Sequence, residues 1–266
     1  MSAKSKFSII ILVILSLNIK FGFANNSDTI LIGAFNFYPA IYQDEDGEVK
    51  GYFVDAISEF AITRNIPIKY VHGNWHECLE RLENDEIDLL TSVAYTDDRS
   101  LYMDFSQNSL ITVWGEVYVT PNKEIHGIKD LANKRIAIMS NDVNGKYLID
   151  LVNKLKMKCT FIEVEDFEKV FELVAAQEVD AGVVNNTYGA PKMNAFNLRC
   201  TDIVLNPFDI FLAVKKGRNS EFLISLDNEL EKWKHDQNSI FNKSRQEWSH
   251  NKVDTIKIYP FWLKYT

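Results

Sequence analysis

Cysteine is scarce in this chain of 266 residues, and the three present, Cys78, Cys159 and Cys200, stand far apart. No pair has the C-x-x-C spacing and no histidine cluster accompanies them, so neither a metal site nor any other cofactor is expected. An odd count leaves at least one thiol free. A Cys159–Cys200 bridge is open to an exported chain, and a buried thiol is the other reading for each. The five histidines, His72, His76, His126, His235 and His250, share no motif, and solvated or capping roles suit them. There is no Ser–His–Asp set and no phosphate-cradling glycine loop. Basic residues are outnumbered 29 to 37, for a formal charge of −8. An acidic protein repels nucleic acid and anionic lipid, so neither is expected as a partner. An anionic ligand would need a locally placed cation.

A long apolar run is also missing. Residues 7–17 are apolar apart from Ser8 and Ser16, but Asn18 and Lys20 end the run at about half the roughly 20 residues that span a bilayer. Lys4 and Lys6 precede it, and Gly22 and Ala24 put small residues at the minus-three and minus-one positions of a cut. Residues 1–24 therefore read as a secretory signal that sends the chain to the periplasm, with an uncleaved membrane anchor as the other reading. Cleavage would remove three lysines and no acid, moving the formal charge from −8 to −11.

What is present is alternation. With 46% hydrophobic and 25% charged residues the composition is that of an ordinary globular protein, long enough for one large domain or two small ones. Short apolar strands at 29–33, 68–71 and 87–93 alternate with helices, the first carrying Val54, Ile57, Phe60 and Ala61 at helical spacing. A second series follows: strands at 135–139, 158–164 and 179–184, and helices at 146–156 and 166–177, the latter with Phe167, Val170, Phe171 and Val174 on one stripe. A strand at 208–214 and a helix at 220–235 close it. Strand–helix alternation implies β-α-β units and parallel sheets, and two series imply two α/β lobes. Ligands in such folds sit outside the carboxyl ends of the strands, here in a cleft with two walls.

Six short motifs occur in one order over residues 30–106: Tyr38-Pro39-Ala40, the segment Gly51 to Asp55, Trp75 with Leu79 and Leu82, Asp88-Leu89-Leu90, Thr96 with Arg99, and Asp104-Phe105-Ser106. Together they resemble the first lobe of the family 3 extracellular solute-binding proteins, whose fold is the type II periplasmic binding protein. The resemblance implies an α/β fold of two lobes, each a mainly parallel sheet flanked by helices. Lobe one would comprise residues 28–116 and 207–266, lobe two residues 117–206, with hinges near 116–119 and 205–208. It also implies a monomer that closes on a small polar or anionic ligand and performs no chemistry on it. Arg99 would grip a carboxylate with its planar fork of donors. Tyr38 and Trp75 would cover the ligand with aromatic faces, and Ser92 would offer a small polar group.

Lobe two departs from that pattern. Ser140-Asn141-Asp142 replaces the family's Gly-Thr or Gly-Ser, and Asn185 stands where amino-acid importers carry the aspartate that takes the ligand's ammonium. Either Asp142 supplies the missing charge or the ligand is not an α-amino acid; a loop or helix-capping role for Asp142 is the structural alternative. The stretch from Val183 through Gly189 and the segment 258–263 resemble the branch that forms the periplasmic half of membrane sensors. A membrane sensor is thus the first partner expected and an importer permease the second. A dehydratase-type enzyme on the same fold ranks third, because it would need an acid–base carboxylate beside Arg99, for which Asp142 is the candidate.

Overall fold

The computed structural model describes residues 29–250; the expected leader at 1–24 and the aromatic segment at 258–263 lie outside the described residues. The chain enters through β1 (Ile30–Ala34), passes a short hairpin of β2 (Tyr42–Gln43) and β3 (Val49–Lys50), and continues into α1 (Tyr52–Arg64). Then come β4 (Ile68–His72), α2 (Trp75–Glu83) and β5 (Leu89–Ala94). A single helical turn, α3 (Asp97–Ser100), leads to β6 (Met103–Phe105) and β7 (Ile111–Val113).

From here the chain builds a second sheet. Its elements are β8 (Gly115–Val119), β9 (Arg135–Met139), α4 (Val143–Lys154), β10 (Thr160–Val164), α5 (Phe167–Ala175), β11 (Ala181–Asn185), α6 (Asn186–Lys192) and β12 (Arg199–Val204). The chain then returns as β13 (Phe208–Lys215) and finishes with α7 (Ser220–His235) and α8 (Ile240–His250).

The first sheet has the order β4-β1-β5-β13-β6, with β7 also on β13, and the second β10-β9-β11-β8-β12. Pairing is parallel within the β-α-β units, β1 with β4 and β5, β9 with β10 and β11. It turns antiparallel at the strands beside the crossings, β13 against β5 and β8 against β11. The fold is the two-lobed α/β architecture anticipated for a type II periplasmic binding protein. The first crossing falls at Trp114 rather than at 116–119. Glu116 and Val117 already pair with Val184 and Val183 of β11, and Val117 and Val119 are buried in the second lobe's core. Their apolar side chains draw that segment into the sheet. The return runs through residues 205–207.

Each lobe is held by apolar stripes of the expected period. In α1, Phe53, Ile57 and Phe60 are buried in the first lobe's core, each contributing roughly 1.5–3 kcal/mol. Asn65 ends the helix in the left-handed region at φ 53°, its N–H returning to the carbonyls of Ala61 and Ile62. In α5, Phe167, Val170, Phe171 and Val174 are all buried. The C-terminal α8, absent from the sequence reading, docks on α1. Phe241 stacks on Phe53 with ring centres 6.3 Å apart, and the Trp248 indole N–H donates to Asp55 at 2.9 Å.

Among the described residues no helix is long and apolar enough to cross a membrane, and no three His, Cys, Asp or Glu side chains are placed to hold a metal. All three cysteines are free, so the Cys159–Cys200 bridge is not formed. Burial pushes the Cys78 thiol up to about 12 and Cys200 to about 11, and raises Cys159 as well. Thiolate is the reactive form. The native protein at pH 8 is therefore expected to alkylate slowly at all three positions and quickly in denaturant; rapid native labelling of Cys78, followed by mass spectrometry, would contradict this burial.

Candidate functional site

The carboxyl ends of β1, β5, β9 and β11 converge where the lobes meet. Arg99 arrives there on α3, whose first turn is set by Thr96: the threonine Oγ1 accepts the Arg99 N–H at 3.2 Å. Arg99 is 7% exposed. Its Nη1 donates to the Ala94 carbonyl at 2.9 Å, and its Nη2 reaches across the cleft to the Asn141 carbonyl at 2.9 Å. The Trp75 ring lies 5.3 Å from the guanidinium carbon, and the Trp75 indole N–H donates to the same Asn141 carbonyl at 3.3 Å. Asn141 can present that carbonyl because it sits in the left-handed region, φ 60°, a conformation asparagine tolerates. Its side-chain Nδ2 is 3.0 Å from His76 Nδ1, a third bond between the lobes.

Asp142 lies beside Arg99 and does two things at once. It is the N-cap of α4, its Oδ2 accepting the N–H groups of Asn144 at 3.0 Å and Gly145 at 3.2 Å. It also lines the cavity between the lobes. Its Oδ1 has one long contact, 3.4 Å from Asn144 Nδ2, and keeps acceptor capacity. Burial holds its carboxyl above the ordinary aspartate range, although the cap bonds and Arg99 oppose that shift. Burial likewise lowers Arg99 from its ordinary value, against the influence of Tyr102 and Asp142. Among the described residues neither Arg99 nor Asp142 has an ion-pair partner.

Ser92 lines the same cavity through a backbone distortion. Opposite β13, the β5 residues Leu90 to Val93 span the register that Phe211 to Ala213 cover with one residue fewer, and Ser92 takes φ 62°. Such a bulge re-aims a side chain, and a left-handed serine costs about 1–3 kcal/mol. The Ser92 Oγ is buried and has no hydrogen-bond partner among the described residues. Asn185, at the end of β11, caps α6 by accepting the Tyr188 N–H at 3.0 Å and also faces the cavity.

Tyr38 stands between the lobes but outside the cavity lining. It packs edge-on against Tyr42 and Trp248, with the Lys192 ammonium 4.4 Å from its ring centre, and does not line the cavity. Phe35 and Phe37 form that wall, stacked at 5.9 Å and 7°, with Phe167 of the second lobe 6.4 Å from Phe37. Period-two alternation after β1 was the available signal, since it puts 35 and 37 on one side and 38 on the other. Trp75, Ser92, Arg99, Asp142 and Asn185 are thus brought together, while Asn141 serves as the latch behind them.

This half-open cavity measures about 30 Å³ for the centres of water-sized molecules, room for about two or three waters. A wider groove of about 330 Å³ opens outward, and Arg99, Met139, Asp142 and Val143 line both spaces, forming the partition. Residues 30–255 match the family model described as bacterial extracellular solute-binding proteins, family 3. The chain belongs to that family. Its members are extracytoplasmic binding proteins that take small ligands. This solute-binding protein is 25% identical over 185 residues to the amino-acid-binding protein AabA of Dichelobacter nodosus, covering 67% of this chain and 72% of that one. It is 32% identical over 96 residues to a probable histidine-binding protein of Neisseria gonorrhoeae, covering 36% of this chain and only 35% of that relative. Its fold superposes with TM-score 0.74 on a histidine kinase sensor domain similar to periplasmic binding proteins, at 20% identity, covering 84% of this chain and 97% of the other.

Proposed function

We propose that this solute-binding protein captures a small amino-acid-like ligand by hinge closure, and that it is the sensory ligand-binding part of a membrane signalling system. The observation that carries the ligand reading is the pair Arg99 and Asp142. Two charges of opposite sign face one cavity from different lobes, and neither has an ion-pair partner among the described residues. Leaving a desolvated charge unmatched costs several kcal/mol. A zwitterion satisfies both, its carboxylate on Arg99 and its ammonium on Asp142 Oδ1, with Asn185 and Ser92 as neutral partners.

The positions of these groups support closure. The Arg99–Asn141, Trp75–Asn141 and His76–Asn141 bonds all join one lobe to the other. A ligand that touches both walls favours the closed form by its differential affinity, and about 5.5 kcal/mol converts a mostly open population into a mostly closed one. The fold shared with a kinase sensor domain and the segment from Val183 to Gly189 support the sensory role. A diffusible carrier for an amino-acid importer is the second reading, supported by the amino-acid-binding relative. No chemistry on the ligand is proposed: Asp142, the carboxylate an acid–base mechanism would use, is anchored by the first amides of α4.

Asp142→Asn tests the charge assignment. The folded protein holds the Asp142 proton more tightly than the unfolded chain, so ionisation of this group lowers stability as pH rises above its ordinary value, about 3.9. Asparagine keeps the cap and removes the charge. Without ligand, the variant is expected to melt higher than wild type at pH 7, with its advantage shrinking as pH falls below the aspartate range. With ligand, its stabilisation by amino acids is expected to fall at least tenfold in concentration dependence. An unchanged ligand-dependent melting shift in Asp142→Asn would remove Asp142 from the ammonium role.

A further inference from the structure

Building on the amino-acid reading of this cavity, we infer that the ligand carries a small, uncharged side chain. Charge is the first reason. The cavity lining contains two ionisable groups, Arg99 and Asp142, and the ligand's own carboxylate and ammonium engage both. What remains of the wall is Phe35, Phe37, Val113, Met139, Phe167 and neighbouring apolar groups, with Ser92 and Asn185 as the uncharged polar exceptions. A lysine, arginine or protonated histidine side chain would bring a second cation into a wall with no second acid, and a glutamate a second anion with no second base. The wider groove does hold charges, Lys146 and Asp98 facing each other at 3.5 Å and Glu163 accepting the Ser140 hydroxyl at 3.2 Å, but all three lie beyond the partition and line only the groove.

Size is the second reason. The half-open space between the lobes is about 30 Å³ for the centres of water-sized molecules. Phe37 and Phe167 stand 6.4 Å apart across it, so no slot for another ring exists between them. Phe37 is held from behind by its stack on Phe35, and Phe167 by Tyr188 at 5.5 Å. A large side chain would have to hold the lobes apart and forfeit the bonds to Asn141. A hydrogen and a methyl group fit the apolar wall, and a hydroxymethyl group could additionally meet the unpartnered Ser92 Oγ. Glycine, alanine and serine are the class described.

Titration calorimetry of the purified protein with glycine, alanine, serine, leucine, phenylalanine, arginine, histidine and glutamate tests this. The small neutral amino acids are expected to bind tightest, phenylalanine at least tenfold weaker and the three charged ones at least a hundredfold weaker. Phe167→Ala is expected to narrow the gap between alanine and leucine; Phe167→Leu, which keeps an apolar plug against Tyr188, is the milder variant if the first fails to fold. Arginine, histidine or glutamate binding as tightly as alanine would overturn the side-chain inference while leaving the amino-acid reading intact. Absence of heat and of thermal shift with all eight would overturn both.

Discussion

Replacing Arg99 with alanine is expected to weaken amino-acid binding at least a hundredfold and to abolish ligand-induced thermal stabilisation. Arg99 is 7% exposed, and its guanidinium is bonded to two backbone carbonyls, Ala94 and Asn141, with no carboxylate at ion-pair distance among the described residues. A ligand carboxylate would therefore be its direct counter-ion in a desolvated setting. Truncating one member of such a pair typically costs about 2–5 kcal/mol, and a hundredfold change in affinity is about 2.7 kcal/mol. The same change removes the Arg99–Asn141 bond between the lobes, so closure suffers together with contact. Arg99→Lys should recover only part of the loss, because an ammonium cannot make the two parallel bonds of a guanidinium. Melting curves with and without ligand decide the matter, and an unaltered shift in Arg99→Ala would reject this anchor.

Gly51→Ala is expected to destabilise the unliganded protein by at least about 3 kcal/mol, which for a chain of this size lowers the melting temperature by roughly 6–12 °C. Gly51 precedes α1 with φ 129°, a backbone conformation that side-chain-bearing residues rarely adopt. An added Cβ would lie 2.8 Å from the Pro39 carbonyl oxygen and 2.6 Å from the Ala40 carbonyl carbon, both backbone atoms that cannot swing aside. Those carbonyls also accept the Tyr52 and Phe53 N–H groups at 3.2 and 3.0 Å, fastening the first turn of α1 to the loop that carries Phe37. The variant should consequently lose ligand affinity as well as stability. Calorimetric unfolding showing a drop below 1 °C would mean that this loop yields far more readily than its hydrogen bonds indicate.

Much of the scaffold could be read from periodicity. The stripe of Phe167, Val170, Phe171 and Val174 marks α5 unambiguously, and the helix boundaries of α7 are the expected ones. β12 escaped because its exposed residues Asp202 and Val204 alternate with a bulged, half-polar face that carries no apolar run. α8 was missed although Phe241, Ser244 and Trp248 recur at helical spacing; two polar turns diluted the signal. At the site, Arg99 was legible because a threonine three residues earlier is both a motif and a cap. Phe167 was legible as a helix residue but not as a cavity wall, since its partner Phe37 belongs to the other lobe. Asp142 carries its double duty for the same reason. A cap is a local fact readable in a few residues, whereas facing Arg99 depends on how far two separately built sheets approach.

The antiparallel contact of β8 with β12 places the start and finish of the second lobe side by side, with the Leu205 N–H donating to the Gly115 carbonyl at 2.8 Å. A segment whose two ends meet in this way is an insertion, topologically complete in itself. The host is not: its sheet has β13 next to β5, Ala213 against Leu90, so a nascent chain cannot finish the outer lobe until the inner one has been synthesised. Assembly in order of loop length would then build the inner lobe first and stitch the outer one around it.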